Sequence, residues 1–346
     1  MEESLIKYKL LTTPVRLDRQ VWPAGTKPLV SISCIAFNHE KYIRECLESL
    51  LSQETTFPVE ILIHDDASLD GTPVIIREYE KQYPSLIKAV YQEENKWSKN
   101  KKITLEYNIR RAQGDYISFC ECDDKWINVE KIQHQFNFLT AHQEFVAHSH
   151  NVLFVNLITS MSRPFGICEN REMTFEELYG GWPYHSVSLM VRSDIISSIP
   201  VKDLPHWVSG DKFLNRWIAC HGRVYYEGRE TMAIYHRHDT GLSATSNYVE
   251  LACQNKIMLD FLETYVPRSY RKIHIETLVN ALRHLALVSA EAGSSYPNRI
   301  RVVLKYLLHF NAVKNKRLYF LLLIIFGKTF YKVNEWLHGR SLSFKT

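Results

Sequence analysis

Three carboxylates crowd into Glu121-Cys122-Asp123-Asp124, at the end of the run GDYISFCECDDKW from Gly114 to Trp126. The apolar residues ahead of them read as a buried strand, which delivers all three at its C-terminal end. Ionised carboxylates so close together repel one another, and a cation among them removes that cost. Hard oxygen ligands suit Mg²⁺, Mn²⁺ or Ca²⁺. A polar loop capping the next helix is the plainer reading of the same residues. Asp65 and Asp66 form a second acidic group, one residue (His64) after the apolar run Val59 to Ile63, and Asp211 opens a helical pattern further on.

The elements that must position these groups alternate. Residues 1–27 hold turn residues and no strong period, and read as a lead-in arm. Leu29 to Ile35 is the first strand, followed by a turn through Ala36, Phe37, Asn38 and His39. A helix comes next, with Tyr42, Ile43, Cys46, Leu47, Leu50 and Leu51 on one stripe. The second strand, Val59 to Ile63, leads to a helix with Thr72 as expected N-cap and Pro73 at its first position. Leu86 to Tyr91 is a third strand and Thr104 to Ala112 a third helix, which Gly114 is expected to end in the left-handed conformation. Such alternation predicts an α/β fold with a mainly parallel sheet covered on both faces, and ligands of such sheets lie beyond the C-terminal strand ends. Asn38, Asp65, Asp66 and the Glu121–Asp124 group all fall there. No GxGxxG follows the first strand and no GxxxxGK[ST] occurs, so a bound nucleotide diphosphate would need a metal to neutralise it.

Composition narrows the class. The 346 residues suffice for one large domain with an appendage or for two modest domains. The net charge of +4 is unevenly placed: from Ser294 onward ten Lys or Arg face one acid, Glu335, which leaves the rest mildly acidic. Seven cysteines without a CxxC pair or a signal-peptide pattern suggest reduced thiols in a cytoplasmic protein. Cys120 and Cys122 read as small apolar fillers rather than zinc ligands.

Three blocks, VSISCIAFNHEKYIRECLESLLSQ, EILIHDDASLDGT and NIRRAQGDYISFCECDDKW, resemble family 2 glycosyltransferases in order and spacing. The resemblance covers about Leu29 to Asn128. It implies the GT-A fold, a Rossmann-like nucleotide-binding sheet with an acceptor half, and inverting sugar transfer from a nucleotide-diphosphate donor, with a UDP-sugar expected. It further implies that Glu121 lies near the ribose and that Asp123, with Asp124 next to it, binds a Mn²⁺ or Mg²⁺ ion bridging the diphosphate. Asp65 or Asp66 should bond the base, with Ala36, Phe37 and Asn38 packed around it. Glu121 stands where an Asp is commoner.

The second half reads as a helix from Glu130 to His142, one or two strands from Phe145 to Leu157, and a capping box at Thr174 and Glu177. Val187 to Val191 is a further strand. In the resembled family an acidic pair precedes the next helix, and its second member is the catalytic base. Asp211 matches that position, with Gly210 in place of the first acid; a helix cap is the competing role. The segment Tyr235 to Ser243 resembles the family's closing segment. His238 falls on its histidine, as a metal or diphosphate group, and His236 replaces an arginine. Trp182, Tyr184, His185 and Trp207 could form a stacking surface for an acceptor sugar, although aromatics are more often core.

From Tyr248 the pattern is helical. Leu318 to Phe326 is the most apolar run, but nine residues cannot span a bilayer, which takes about 20. With the lysines and arginines around it, this segment could lie in a membrane interface against anionic lipid; a core or dimer helix is the competing reading and leaves a homo-oligomer open. No nucleic-acid recognition motif accompanies the basic tail. The expected organisation is an arm (1–27), a glycosyltransferase domain (28–245) and a helical basic region (246–346). The expected partners are a nucleotide sugar and a glycan or lipid-linked glycan acceptor, in cell-surface polysaccharide or lipopolysaccharide synthesis at the cytoplasmic side of the membrane. A non-catalytic sugar-nucleotide-binding or scaffold protein of the same fold is the alternative. A nucleotidyltransferase would need a glycine-rich, basic loop that Ala36 to Lys41 does not provide.

Overall fold

A computed structural model describes residues 10–99, 103–205, 210–239 and 248–291. The chain divides into two compact units, Met1–Thr245 and Ser246–Thr346. In the first, β1 (Val15–Arg16) and β3 (Glu54–Thr55) form a short ribbon. The main sheet has ten strands. Its central members are β2 (Val30–Ala36), β4 (Val59–Asp65), β5 (Ile87–Tyr91) and β6 (Tyr116–Phe119), all parallel. The apolar side chains of β4 and β6, and those of β2 except the half-buried Ile35, are buried, as expected for strands covered on both faces, whereas β5 at the sheet's edge buries only Ile87. The apolar stripe of the helix Ile43–Leu51 is fully buried as well.

Beyond β6 the sheet becomes mixed. The short β11 (Met190–Arg192) pairs antiparallel with both β6 and β8 (Phe145–Asn156), and β12 (Arg223–Arg237) runs parallel to β8. β7 (Lys125–Trp126) and β10 (Asn170–Glu172) pair antiparallel with β12, and β9 (Met161–Pro164) forms a hairpin with β8. Since β11 reverses direction twice, β6, β8 and β12 still point the same way. The C-terminal ends of β2, β4, β6, β8 and β12 therefore open on one edge of the sheet.

Several local expectations are corrected. The helix expected over Thr104–Ala112 is two short helices, Ile103–Glu106 and Asn108–Arg111. The break at Tyr107 lets Asn108 turn inward, where its amide donates to the Cys34 and Leu62 carbonyls at 2.8 and 3.0 Å. Gly114 does not take a positive φ. It is needed for closeness instead, because a Cβ there would lie 2.6 Å from the Ser31 backbone nitrogen. Thr72 is the first residue of its helix and Gly71 holds the cap position; the Thr72 hydroxyl accepts the His39 N–H at 2.8 Å and so ties the first loop to the second. The capping box at Thr174 and Glu177 forms as expected.

In the second unit the helices Tyr248–Leu262 and Arg271–Glu291 pack against each other. No helix among the described residues is long and apolar enough to cross a membrane. The Leu318–Phe326 run and the basic residues from Arg299 onward lie outside the described residues.

Candidate functional site

The acidic tetrapeptide is placed by continued pairing with β2. Cys120 N–H donates to the Ser33 carbonyl at 3.1 Å and Cys122 N–H to the Ile35 carbonyl at 2.9 Å. Strand alternation therefore persists through Cys122, with both cysteines buried and Glu121 turned the other way. Cys120 and Cys122 join Cys34 and Cys46 in the core, as apolar fillers would.

Asp123 is the meeting point. Its Oδ2 lies 3.0 Å from His238 Nε2 and 3.6 Å from His39 Nε2. The ligand-type atoms of His39, Asp123 and His238 all fall within 4.8 Å of one another. Burial raises the Asp123 pKa, but His39 and His238 outweigh it and hold the carboxylate below its ordinary range. His39 is pushed down by burial and is neutral, and its buried Nδ1 has no hydrogen-bond partner. Two imidazoles and a carboxylate are a donor set that fits a divalent transition ion.

Around this trio the loops are braced. The Tyr42 ring packs on His238 at 4.7 Å, between centroids, and stacks on His236 at 6.3 Å. His236 Nδ1 lies 2.8 Å from the Asp123 carbonyl, so the imidazole that replaces an expected arginine is held by the acidic loop. Glu121 accepts from Ser186 Oγ at 3.2 Å on each oxygen. Burial first, then the charges of Asp123 and Asp211, raise its pKa to about 7. Asp124 is buried, and its Oδ1 accepts the His236 backbone N–H at 2.9 Å. It fastens the end of β12 to the acidic loop. Burial, then Asp123 and Glu121, hold its pKa well above the usual carboxylate range.

The neighbouring loops are placed as follows. Ala36 is buried at the end of β2, Phe37 is exposed at the mouth, and Asn38 takes a left-handed φ of 57°. Asn38 Oδ1 accepts the Leu69 N–H at 2.8 Å, which links the β2 and β4 loops. Asp65 ends β4, paired in register with Ala36, and accepts from Ser68 Oγ at 2.6 Å. Asp66 is the other candidate for the base. It is fully buried, and its two oxygens accept the Lys96 and Trp97 backbone N–H groups at 2.8 and 2.9 Å. Charge-assisted bonds of this kind contribute about 1.5–3 kcal/mol each, and they hold the chain after β5 in place.

Asp211 is the second residue of the helix Gly210–His221, in its first turn rather than at the cap position ahead of it, and its Oδ1 accepts the Lys212 N–H at 2.7 Å. Its charge is among those that raise the Glu121 pKa, and it opposes the burial that lowers the His185 pKa to about 4. The aromatics divide. Tyr184 is core, which corrects its place in the expected stacking surface. Trp182 is 38% exposed and stacks on His185, which stacks on Tyr235 at 3.9 Å between centroids. Trp207 and the segment from Thr240 to Ser243 lie outside the described residues.

Sequence reasoning missed His39 and Ser186. For His39 a signal existed: it follows Asn38 in a loop at the strand exit edge. For Ser186, 65 residues from Glu121, there was none.

A metal-competent acidic site at the exit edge of an α/β sheet of this form defines a GT-A glycosyltransferase architecture. The same architecture is found in the mannosyltransferase PcManGT of Pyrobaculum calidifontis, solved with GDP-Man and Mn²⁺ (TM-score 0.53, 17% identity, 92% of this chain and 88% of that one). Residues 31–196 match the model of Glycosyl transferase family 2, so the resemblance carried by the three sequence blocks holds and the chain bears a family 2 glycosyltransferase segment. An uncharacterised Mycobacterium tuberculosis protein, Rv1520, is 32% identical over 219 residues, or 62% of this chain and 60% of that protein. The UDP-Glc:α-D-GlcNAc-diphosphoundecaprenol β-1,3-glucosyltransferase WfaP of Escherichia coli is 34% identical over 121 residues, 35% of this chain and 45% of its own length. The chain thus spans less than two thirds of the length of these two relatives.

Proposed function

We propose that the protein is an inverting, metal-dependent glycosyltransferase that moves a sugar from a nucleotide diphosphate, most simply a UDP-sugar, to a hydroxyl of a glycan or lipid-linked glycan in cell-surface polysaccharide synthesis. The observation that carries this reading is the convergence of His39 and His238 on Asp123 at the sheet's exit edge. Mn²⁺ fits the two imidazoles better than Mg²⁺ does. A divalent ion held by these three residues would supply Lewis-acid neutralisation of the departing diphosphate.

The chain's own groups do the rest. Asp65 meets the base beside Phe37 and Asn38, and Glu121 meets the ribose. Asp66 and Asp124 hold the loops rather than the ligand. The acceptor oxygen bonds to the anomeric carbon as the bond from that carbon to the phosphate oxygen breaks, and the acceptor's proton passes to Asp211. The first turn of a helix favours the ionised form of that carboxylate. Attack from the face opposite the leaving group inverts the anomeric centre. Trp182, exposed above His185, supplies a stacking face for the acceptor sugar. WfaP, named for a UDP-sugar and a lipid-diphosphate acceptor, supports the choice of donor and acceptor class.

The test is a panel of sugar nucleotides incubated with the full chain and Mn²⁺. Slow donor hydrolysis, lost in Asp123→Ala, is expected for at least one of them. A protein that binds a donor but hydrolyses none, at any metal concentration, would instead be the non-catalytic binding protein.

A further inference from the structure

Large apolar side chains exposed singly are ordinary, but several together on one turn mark an interaction site. The β8–β9 hairpin carries such a set. Leu157, Ile158 and Met161 are 45, 56 and 46% exposed at its tip. The tip is also built to stay out. The Asn156 side chain accepts the Ile158 and Thr159 N–H groups at 3.0 and 3.2 Å, and Ser160 takes a left-handed φ of 55°, so the turn is fixed with its aliphatic residues outward.

Position gives the tip a purpose. Leu157 N–H donates to the Arg237 carbonyl at 2.9 Å, and the next residue, His238, touches Asp123. The tip therefore stands on the same sheet edge as the candidate site. From Leu157 to Cys168 the chain has one cation, Arg163, and no acid, while the exposed Asp239 lies two residues beyond the Arg237 to which the tip is bonded. Arg237 at the tip's base has a buried Nε without a hydrogen-bond partner. A protein partner would need a pocket shaped for this convex turn. A narrow aliphatic tip flanked by arginines suits the boundary between headgroups and acyl chains, which accepts apolar side chains without shape matching.

We propose that the β8–β9 hairpin tip inserts into the surface of an anionic bilayer and holds the site's open edge against it. This rests on the glycosyltransferase reading only in that a lipid-linked acceptor needs its enzyme at the membrane. The docking itself is measured without donor or acceptor. The full chain is floated with phosphatidylcholine vesicles, with and without about a third phosphatidylglycerol, as wild type, as the triple variant Leu157→Ser/Ile158→Ser/Met161→Ser, and as Arg163→Glu. The expected result is wild-type binding to the anionic vesicles that falls with added salt, at least about tenfold weaker binding by the triple variant, and a smaller loss for Arg163→Glu. Thermal stabilisation by UDP with Mn²⁺ should be the same in all three proteins, which keeps a failed docking distinct from a failed donor site. Equal flotation of wild type and triple variant would overturn the proposal and place the contact elsewhere in the chain. Absence of wild-type binding would overturn it too, as would a wild-type dimer that the triple variant converts to monomer, since the tip would then cover a second copy.

Discussion

His238 Nε2 and Asp123 Oδ2 lie 3.0 Å apart although 115 residues separate them in the chain, and His39 Nε2 lies 3.6 Å from the same oxygen. Three elements thus supply one ligand atom each to a point between them. Loss of one protein ligand should weaken Mn²⁺ binding by at least the roughly ten- to hundredfold that changes around metal ligands already cause. Titration of Mn²⁺ into the nucleotide-free protein, followed by calorimetry, should show this for both His39→Ala and His238→Ala. It should also rank Zn²⁺ and Co²⁺ above Mn²⁺, and Mg²⁺ last, because imidazole donors favour the later ions. Unchanged Mn²⁺ affinity in His39→Ala would remove that residue from the site.

Asp211 separates binding from chemistry. Its carboxylate is in the first turn of the helix Gly210–His221, close enough to Glu121 to raise that group's pKa. Asp211→Asn keeps the shape and the Lys212 N–H bond but cannot take a proton. Transfer should fall by about 10²–10⁴-fold in kcat while UDP still stabilises the protein against heat. A variant that keeps wild-type kcat would leave Asp211 with a structural role in the helix's first turn alone.

The parts of this fold legible in sequence are those set by local pattern. Val30–Ala36 and Val59–Asp65 announce themselves by β-branched residues ending in polar groups, and the capping box at Thr174 is a four-residue signature. What stayed hidden depends on partners distant in the chain. Asp65 and Asp66 are the same residue type side by side, yet the backbone of Lys96 and Trp97, about thirty residues on, turns Asp66 into a clamp. Trp182 and Tyr184 lie two apart in one aromatic stretch, and only packing decides that one is exposed and the other core. The antiparallel β11 reads like any short strand, because direction is fixed by its neighbours β6 and β8 and not by its own residues.

Gly114 carries a fold-level prediction with a functional consequence. Its missing Cβ would meet backbone atoms of Val30 and Ser31 at 2.8 and 2.6 Å, so β6 enters the sheet pressed against β2. Main chain cannot yield as a flexible side chain does. Gly114→Ala should cost about 1–3 kcal/mol or more of stability, read as a lower denaturant midpoint. Since β6 aims the Glu121–Asp124 loop, the same variant should bind Mn²⁺ more weakly without any ligand having been removed.

The corner between β8, β12 and the helix Lys131–Ala141 gives a pH prediction. His134 Nε2 lies 2.6 Å from Glu227 Oε2, and His148 Nε2 lies 3.4 Å from the same oxygen. The hydrogen bond to Glu227 raises the His134 pKa above its ordinary 6.5, and the two histidines hold the Glu227 pKa far below its ordinary 4.5. A raised histidine pKa gives stability that is complete below the unfolded value and fades as pH rises through the folded one. A depressed glutamate pKa gives stability present above its unfolded value and lost as pH falls below it. The pair therefore contributes fully between about pH 4.5 and 6.5. His134 is nearly half exposed, so solvent screens much of the effect. Urea midpoints of wild type and His134→Ala should accordingly differ most near pH 5.5 and converge by pH 8.5. A gap that is constant, or that widens toward alkaline pH, would mean that packing of the imidazole rather than its charge holds this corner.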